Sequence, residues 1–453
     1  NANNANVPYP SLDERIRTTY AARSEANNKN ALYDSYIRSI RWASDRIGNA
    51  GIIGFVTNAG FVEANTADGL RKCLVDEFSS LYVFHLRGNA RTSGEARRKE
   101  KDNVFGMGSR APIAISLLVK NPEAKAHGQI YFHDIGDYLS REDKLDKIVS
   151  FASIAGIPGW QHVIPDEHGD WLKQRDSSFD QFIVLGDKKS NGPKIFDNYS
   201  GGVQTNRDAW VFNYSKALLI HNVSRLIGKY SSELSRFNAA HPVSERHTRE
   251  AVAAGFLDKD ATLISWSRSL RTDAIKNKPL SFNAAPITVS TYRPFTKQWM
   301  YFDRRLNEMV LQMPRLFPVP SAPNLIITFK ERWNGVGQFA LITNSILEQQ
   351  TDGGAQCFPL YLYDETAQAA KNDLFAEPAE GGLRRRDAIT DAGMAHFQAA
   401  YPGEQISKED LFYYVYGILH SSDYRERFAD NLSKDLPRIP AVKKAADFCA
   451  FIR

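Results

Sequence analysis

Apolar and polar positions change rhythm several times along the chain, and the changes outline its elements. Leu32, Tyr33, Tyr36, Ile37, Ile40 and Ile47 recur at helical spacing ahead of Gly48, which predicts a helix closed by glycine. Gly51–Thr57 is short, nearly all apolar and bounded by turn formers, as expected of a strand buried on both faces. A second helix is expected over Thr66–Phe78 and a second buried strand over Leu81–Leu86. Such alternation implies crossover connections and a parallel sheet. Ile113–Val119 and Gln129–His133 then read as two strands joined through Asn121-Pro122, with no helix between them. They predict an antiparallel hairpin, followed by a connecting helix over Ser140–Phe151.

Past residue 155 the clean alternation stops. Asp176–Ser200 is strand-like and then loop-rich, with turn signals at Gly192-Pro193 and Gly201-Gly202. Ala217–Phe237 and Ser244–Arg271 read as mainly helical, and Pro286–Phe358 as short strands with turns at Asn334-Gly335 and Asp352-Gly353. Gly381-Gly382 and Arg384-Arg-Arg386 mark an exposed linker. Beyond it, Ser407-Lys-Glu-Asp410 forms a capping box ahead of Leu411, Phe412, Val415, Ile418 and Leu419.

Composition narrows the class. With 453 residues, 43% hydrophobic and 24% charged, the chain has material for two or three globular domains. A net charge of +5 is mild, so nucleic-acid affinity would have to come from local patches. Cys73, Cys357 and Cys449 are far apart and form no C-x-x-C pair, which argues against a disulfide framework or zinc ribbon and predicts a reducing cytoplasm. No apolar run approaches bilayer-spanning length, so no membrane partner is expected.

Several stretches together resemble one family. Tyr9-Pro-Ser-Leu-Asp-Glu-Arg-Ile-Arg-Thr-Thr-Tyr20, Gly54-Phe-Val-Thr-Asn58, His85-Leu-Arg-Gly-Asn89, Thr205-Asn-Arg-Asp-Ala-Trp210, Tyr292-Arg-Pro-Phe295 and Phe358-Pro-Leu-Tyr361 look like type ISP restriction–modification enzymes. These join nuclease, translocase, adenine methyltransferase and target-recognition parts in one polypeptide. The resemblance implies an α/β fold: residues 1–152 as the C-terminal half of a Rossmann-like class I methyltransferase sheet ending in an antiparallel hairpin, then a mixed α/β target-recognition domain over 153–380, with a helical C-terminal part over 381–453. It implies a parent DNA adenine methyltransferase using S-adenosylmethionine, with double-stranded DNA and the upstream methyltransferase, translocase and nuclease parts as partners.

The family's glycine-rich cofactor loop and catalytic Asn-Pro-Pro-Tyr are expected upstream of Asn1, so this chain alone is expected to bind DNA without methylating it. Asn6-Val7-Pro8-Tyr9 invites confusion with that tetrapeptide, but the polar residues before it cannot form the buried strand the motif should leave. Asn6, Pro8 and Tyr9 therefore read as a turn preceding a helix. Gly106-Met-Gly108 precedes a strand where a dinucleotide turn must follow one, and Gly335-Val-Gly337 opens a helix no better; both read as structural turns.

Three clusters could meet DNA. The first is a basic loop bearing Arg91, Arg97, Arg98 and Lys99, which reads equally as a phosphate contact or a solvated loop. Phe105 follows it, placed either to stack on an extruded base or to fill the core. The second runs from Lys188 through Lys189, Lys194 and Gln204 to Asn206 and Arg207, mixing phosphate-seeking lysines with side chains able to read base edges. The third holds Arg293, Lys297, Arg304, Arg305 and Asn307, with Lys330 and Arg332 beyond. Two other readings stand beside this one. The chain could be a stand-alone DNA-binding specificity module. Alternatively Asp180, Asp187 and Lys189 loosely fit a metal-dependent nuclease pattern, although Gly186 interrupts the strand that pattern needs. No metal site is otherwise expected, and His85 and His133 read as core histidines.

Overall fold

A computed structural model describes residues 7–452 apart from 27, 331–332, 334–338, 352 and 366–382. The chain divides into two compact units, Asn1–Arg175 and Asp176–Arg453. Asn6, Arg332, the Gly335-Val-Gly337 segment and the Gly381-Gly382 pair lie outside the described residues.

The first unit is built on β1 (Gly51–Asn58), β2 (Ser80–Arg87), β3 (Ile113–Lys120), β4 (Gln129–Asp134) and β5 (Gln161–Val163), in the spatial order β1-β3-β2-β4-β5. The expected strands and helices form, but the hairpin does not. β3 pairs antiparallel with both β1 and β2, while β4 pairs parallel with the far side of β2. The link from β3 to β4 passes the start of β2, where the Phe78 and Ser79 carbonyls accept from Gly128 and Gln129. Strands β1 and β2 do run in one direction, with an antiparallel strand between them.

Both faces of this sheet are covered, but unevenly. Helices Pro10–Thr18, Ser35–Ser44 and Asp68–Glu77 bring Ile16, Ile40, Leu70 and Leu74 against Ile53, Val83 and Leu118. Helix Arg141–Phe151, opened by a Ser140/Asp143 capping box, brings Ile148 and Phe151 against Phe84 and Ile113. β1 is an edge strand, and its alternate residues Ile52 and Val56 are exposed, contrary to the two-sided burial expected from its apolar run. An apolar run specifies a strand but not how many of its faces are covered.

The second unit holds two four-stranded sheets. One has the order β13-β9-β10-β8 and the other β12-β11-β14-β7. Their strands are, in chain order after β6 (Ile183–Val184), β7 (Ser200–Gly201), β8 (Phe212–Asn213), β9 (Ile287–Arg293), β10 (Thr296–Tyr301), β11 (Ile326–Lys330), β12 (Ala340–Thr343), β13 (Ile346–Leu347) and β14 (Ala355–Pro359). β15 (Tyr361–Glu365) pairs with β16 (Leu383–Asp387), and β17 (Arg438–Ile439) with β6. The arginine triplet expected in a linker is therefore strand: Arg386 bridges Asp364 and Asp197 at 2.6 and 2.7 Å. The long helix Lys216–Ala240 forms as expected, whereas 244–271 breaks into helices Arg246–Phe256 and Arg268–Ile275. Helix Lys408–His420 carries the expected Ser407/Asp410 box and packs Leu411, Phe412, Val415 and Ile418 into the core that also takes Phe196, Phe358 and Ile326.

Candidate nucleic-acid interface

In the second unit a cleft of about 840 Å3 opens between four chain segments. Its floor is a short ladder. Val203 donates to the Leu347 carbonyl and accepts from Gln349, while Gln204 and Met309 exchange both backbone hydrogen bonds. This close approach explains Gly202: a Cβ there would lie 2.7 Å from backbone atoms of Gln349. The ladder carries Gln204, Asn206, Gln349 and Gln350 to the cleft lining, together with Ser265. Asn206 and Gln350 are exposed, and Gln204 and Gln349 half-buried. Asn206 has a left-handed backbone (φ 56°), one of the few conformations in which asparagine is favoured over most residues, and its Oδ1 accepts from Gln204 at 3.0 Å.

Behind the amides stands a charged frame. Asp208 accepts from the Tyr292 hydroxyl at 3.1 Å and from the Thr205 hydroxyl. Glu348, only 4% exposed, accepts from Arg293 at 2.6 Å and from the Gln350 backbone at 2.7 Å. Burial pushes the Glu348 carboxyl above its ordinary range; the hydrogen bonds and Arg293 pull the other way, and the Asp208 charge adds to the rise. Arg293 also lies over the Tyr292 ring, 4.0 Å from its centroid.

The expected readers separate into two groups. Arg207 is corrected: it is 3% exposed, donates to the Leu306 carbonyl at 3.0 Å and to the Ser267 hydroxyl, and burial lowers its pKa to about 10. It borders the cleft with its guanidinium committed to these internal acceptors rather than offered to solvent. Arg305 is likewise committed to Asp273, Lys278 and Pro279, and Asn307 is buried on the Tyr301 and Asp303 carbonyls. Lys194 points its ammonium at the Asp187 carbonyl, 2.8 Å away. Lys188, Lys189, Lys297 and Arg304 are exposed; Lys188 lies over the Tyr199 ring and Lys297 reaches Asn344 at 3.1 Å. Gln349 and Gln350 were not among the expected residues. Their signal was a pair of amides beside a turn, and only the pairing with Val203, far away in sequence, makes them part of a site.

The nuclease reading finds no support in the same region. Asp180 pairs with Arg438 at 3.0 Å, and Asp187 accepts from the Lys189 backbone at 2.7 Å, so both carboxylates serve local structure.

The first unit presents its candidate residues on the connection from β2 to β3. Arg91, Arg98 and Lys99 are exposed and Arg97 half-buried, the last three on the helix Gly94–Glu100. The connection is held in shape by buried polar groups. Asn103 donates to the carbonyls of Gly88 and Ala111, at 3.1 and 2.8 Å, and accepts from the Phe105 backbone. Lys144, fully buried, donates to the Glu100 and Asp102 carbonyls at 3.0 and 2.6 Å, and burial lowers its pKa. Val104 enters the core, so Phe105 faces out and is 55% exposed, which rules out the core alternative for it. Tyr9 is exposed at the start of helix Pro10–Thr18, its N–H bonded to Asp13, and Pro8 beside it is exposed, as a turn before a helix requires. His85, in β2, packs on Phe132 of β4; burial lowers its pKa. His133 packs on Phe84, but its buried Nε2 has no partner among the described residues.

The family model described as the Type ISP C-terminal specificity domain matches residues 194–453. The chain belongs to the type ISP restriction–modification family. Among solved structures it is similar to the type ISP enzyme LlaGI, in a nuclease-deletion mutant complexed with a DNA substrate mimic, at 38% identity and a TM-score of 0.81. It is also similar to the ATP-dependent type ISP enzyme LlaBIII bound to DNA, at 32% identity and 0.81, and to a DrdV–DNA complex, at 32% identity and 0.80. Each match covers 98% of this chain, which spans 38%, 27% and 41% of those chains respectively. No curated protein sequence matches it. The type ISP specificity match takes in every residue of the amide cleft. No helix among the described residues is long and apolar enough to cross a membrane.

Proposed function

We propose that the second unit reads the sequence of duplex DNA through the amide cleft, as the specificity part of a type ISP restriction–modification enzyme. The supporting observation is the convergence of Gln204, Asn206, Gln349 and Gln350 on one open cleft while the guanidiniums of Arg207 and Arg305 are committed to acceptors of the fold itself. Amides can pair two-pronged with adenine in the major groove, and each good pair discriminates by about 1–3 kcal/mol. Exposed Lys188, Lys189, Lys297 and Arg304 supply phosphate contacts that position the duplex without reading it. Selection from a random-sequence duplex pool with the purified chain tests this: enrichment of one defined site supports it, and an unenriched pool refutes it.

We further propose that the first unit is the closing half of an adenine methyltransferase sheet, cytoplasmic like its DNA substrate. Parallel β1 and β2 with an antiparallel strand between them support this reading. So does Phe105, which is held outward on a braced connection where a flipped adenine would need an apolar face. Arg91, Arg98 and Lys99 would then hold phosphates beside that base. S-adenosylmethionine belongs to the proposed parent reaction. The described residues do not fit it, because Gly106 and Gly108 form a 3-10 turn ahead of β3 and no strand leads into them. No step on this chain is therefore routed through it.

A further inference from the structure

The turn between β9 and β10 has two residues, Pro294 and Phe295. Proline holds its own φ near −65°, and Phe295 follows with φ 61°, the combination of a type II turn. That second position favours glycine or asparagine, because a Cβ is strained there. Phenylalanine is a poor choice for the turn, and the core gives no compensation, since Phe295 is 84% exposed. A strained, bulky and solvated side chain points to a use outside the folded chain.

Its surroundings identify the occupant. β13 runs parallel to β9, with Leu347 opposite Thr291, and the Glu348 N–H donates to the Thr291 carbonyl. Thr351 donates from its hydroxyl to the same carbonyl at 3.0 Å. The segment carrying Gln349 and Gln350 is thereby tied alongside Thr291 and Tyr292, and the hairpin turn follows directly on Tyr292 and Arg293, whose side chains bond to the cleft-lining Asp208 and Glu348. Lys297 is exposed on the first stretch of β10, and Arg293 flanks the turn on its other side. An apolar tip between cations, at the edge of an amide-lined cleft, suits duplex DNA better than a protein surface.

We propose that Phe295 is an apolar wedge that enters duplex DNA seated on the cleft and lodges between neighbouring base pairs. Aromatic and aliphatic wedges of this kind partly unstack one step and kink the duplex. Pro294 fixes the backbone φ just ahead of the wedge, and the Arg293–Glu348 pair ties its hairpin to the cleft wall. The proposal rests on the DNA-reading function above.

The test uses the full chain, the duplex that the wild-type chain selects from a random pool, and the variants Phe295→Gly and Phe295→Leu. Glycine relieves the positive φ, so Phe295→Gly should melt at the same temperature as wild type or higher, which separates loss of binding from loss of folding. It should bind the selected duplex about tenfold more weakly, the scale of one lost base–aromatic contact. Unselected duplex should bind unchanged, and leucine should retain most of the affinity. With 2-aminopurine walked along the selected duplex, fluorescence should rise at one step with wild type and leucine and stay flat with glycine. Wild-type affinity of Phe295→Gly for the selected duplex, or no fluorescence rise with wild type, overturns the wedge while leaving DNA reading intact. If the wild-type chain selects no sequence, the DNA reading fails and the wedge fails with it.

Discussion

Arg293 Nη1 lies 2.6 Å from Glu348 Oε2, joining the β9–β10 hairpin to the wall of the cleft through one ion pair. Glu348 is nearly closed off from solvent while Arg293 is partly open, so the two ends of the pair respond differently to loss of the other. Removing the arginine leaves a buried carboxylate with, among the described residues, the Gln350 N–H as its donor, at a cost of about 1–3 kcal/mol. The sign of the pH dependence follows from the raised Glu348 pKa. A carboxyl whose folded pKa exceeds its unfolded one holds its proton longer in the folded state, so its contribution to stability falls as pH rises between the two. Arg293→Ala raises that pKa further. The melting deficit of Arg293→Ala should therefore be small in mild acid and widen toward neutral pH; a deficit independent of pH would contradict the pairing.

Arg207 should behave as a brace. Arg207→Ala removes the donors to the Leu306 carbonyl and Ser267 hydroxyl and should destabilise the second unit by about 2–4 kcal/mol. Below its melting range, the variant's relative affinities for different duplexes should match wild type. A loss confined to one sequence would restore it as a base reader.

The basic connection of the first unit should open when Lys144 is replaced. Lys144→Met leaves the Glu100 and Asp102 carbonyls without their buried donor, at a cost of about 1–3 kcal/mol. Trypsin should then cut after Arg97, Arg98 or Lys99 well before the rest of the unit. Cleavage at the wild-type rate would mean that the connection is not held by this residue.

Asp364 carries an acid-side prediction. Burial raises its pKa, but hydrogen bonds from Arg386 and Arg315 outweigh burial and hold the carboxyl below its ordinary range. Its contribution to stability is present above the ordinary carboxylate pKa and is lost as pH falls through the folded value. Asp364→Asn should cost stability at neutral pH, and its difference from wild type should shrink on acidification. A difference that grows in acid would contradict this.

Much of the fold was legible because its signals are local. The runs at 51–57 and 81–86, the Ser140 and Ser407 caps and the helix from 217 all depend on near neighbours, and all form. Insertion of β3 between β1 and β2 was not legible, because Asn121-Pro122 suggests a turn without saying which strand lies across it. The candidate site divides in the same way. Residue type marked Asn206 as a polar candidate but left Phe105 open between an exposed and a core position, because type does not give direction, and Arg207 turns inward. Gln349 and Gln350 join the site only through hydrogen bonds to Val203, a contact that no sequence pattern carries.

The reading of DNA by the amide cleft is tested most directly by selecting duplexes with the wild-type chain, Asn206→Ala and Gln350→Ala from the same random pool. Wild type should enrich one site. Each variant should relax the preference at one or two positions by about 1–3 kcal/mol, while the salt dependence of binding stays unchanged because no phosphate contact is lost. Variants that select the wild-type site with undiminished preference at every position would contradict it.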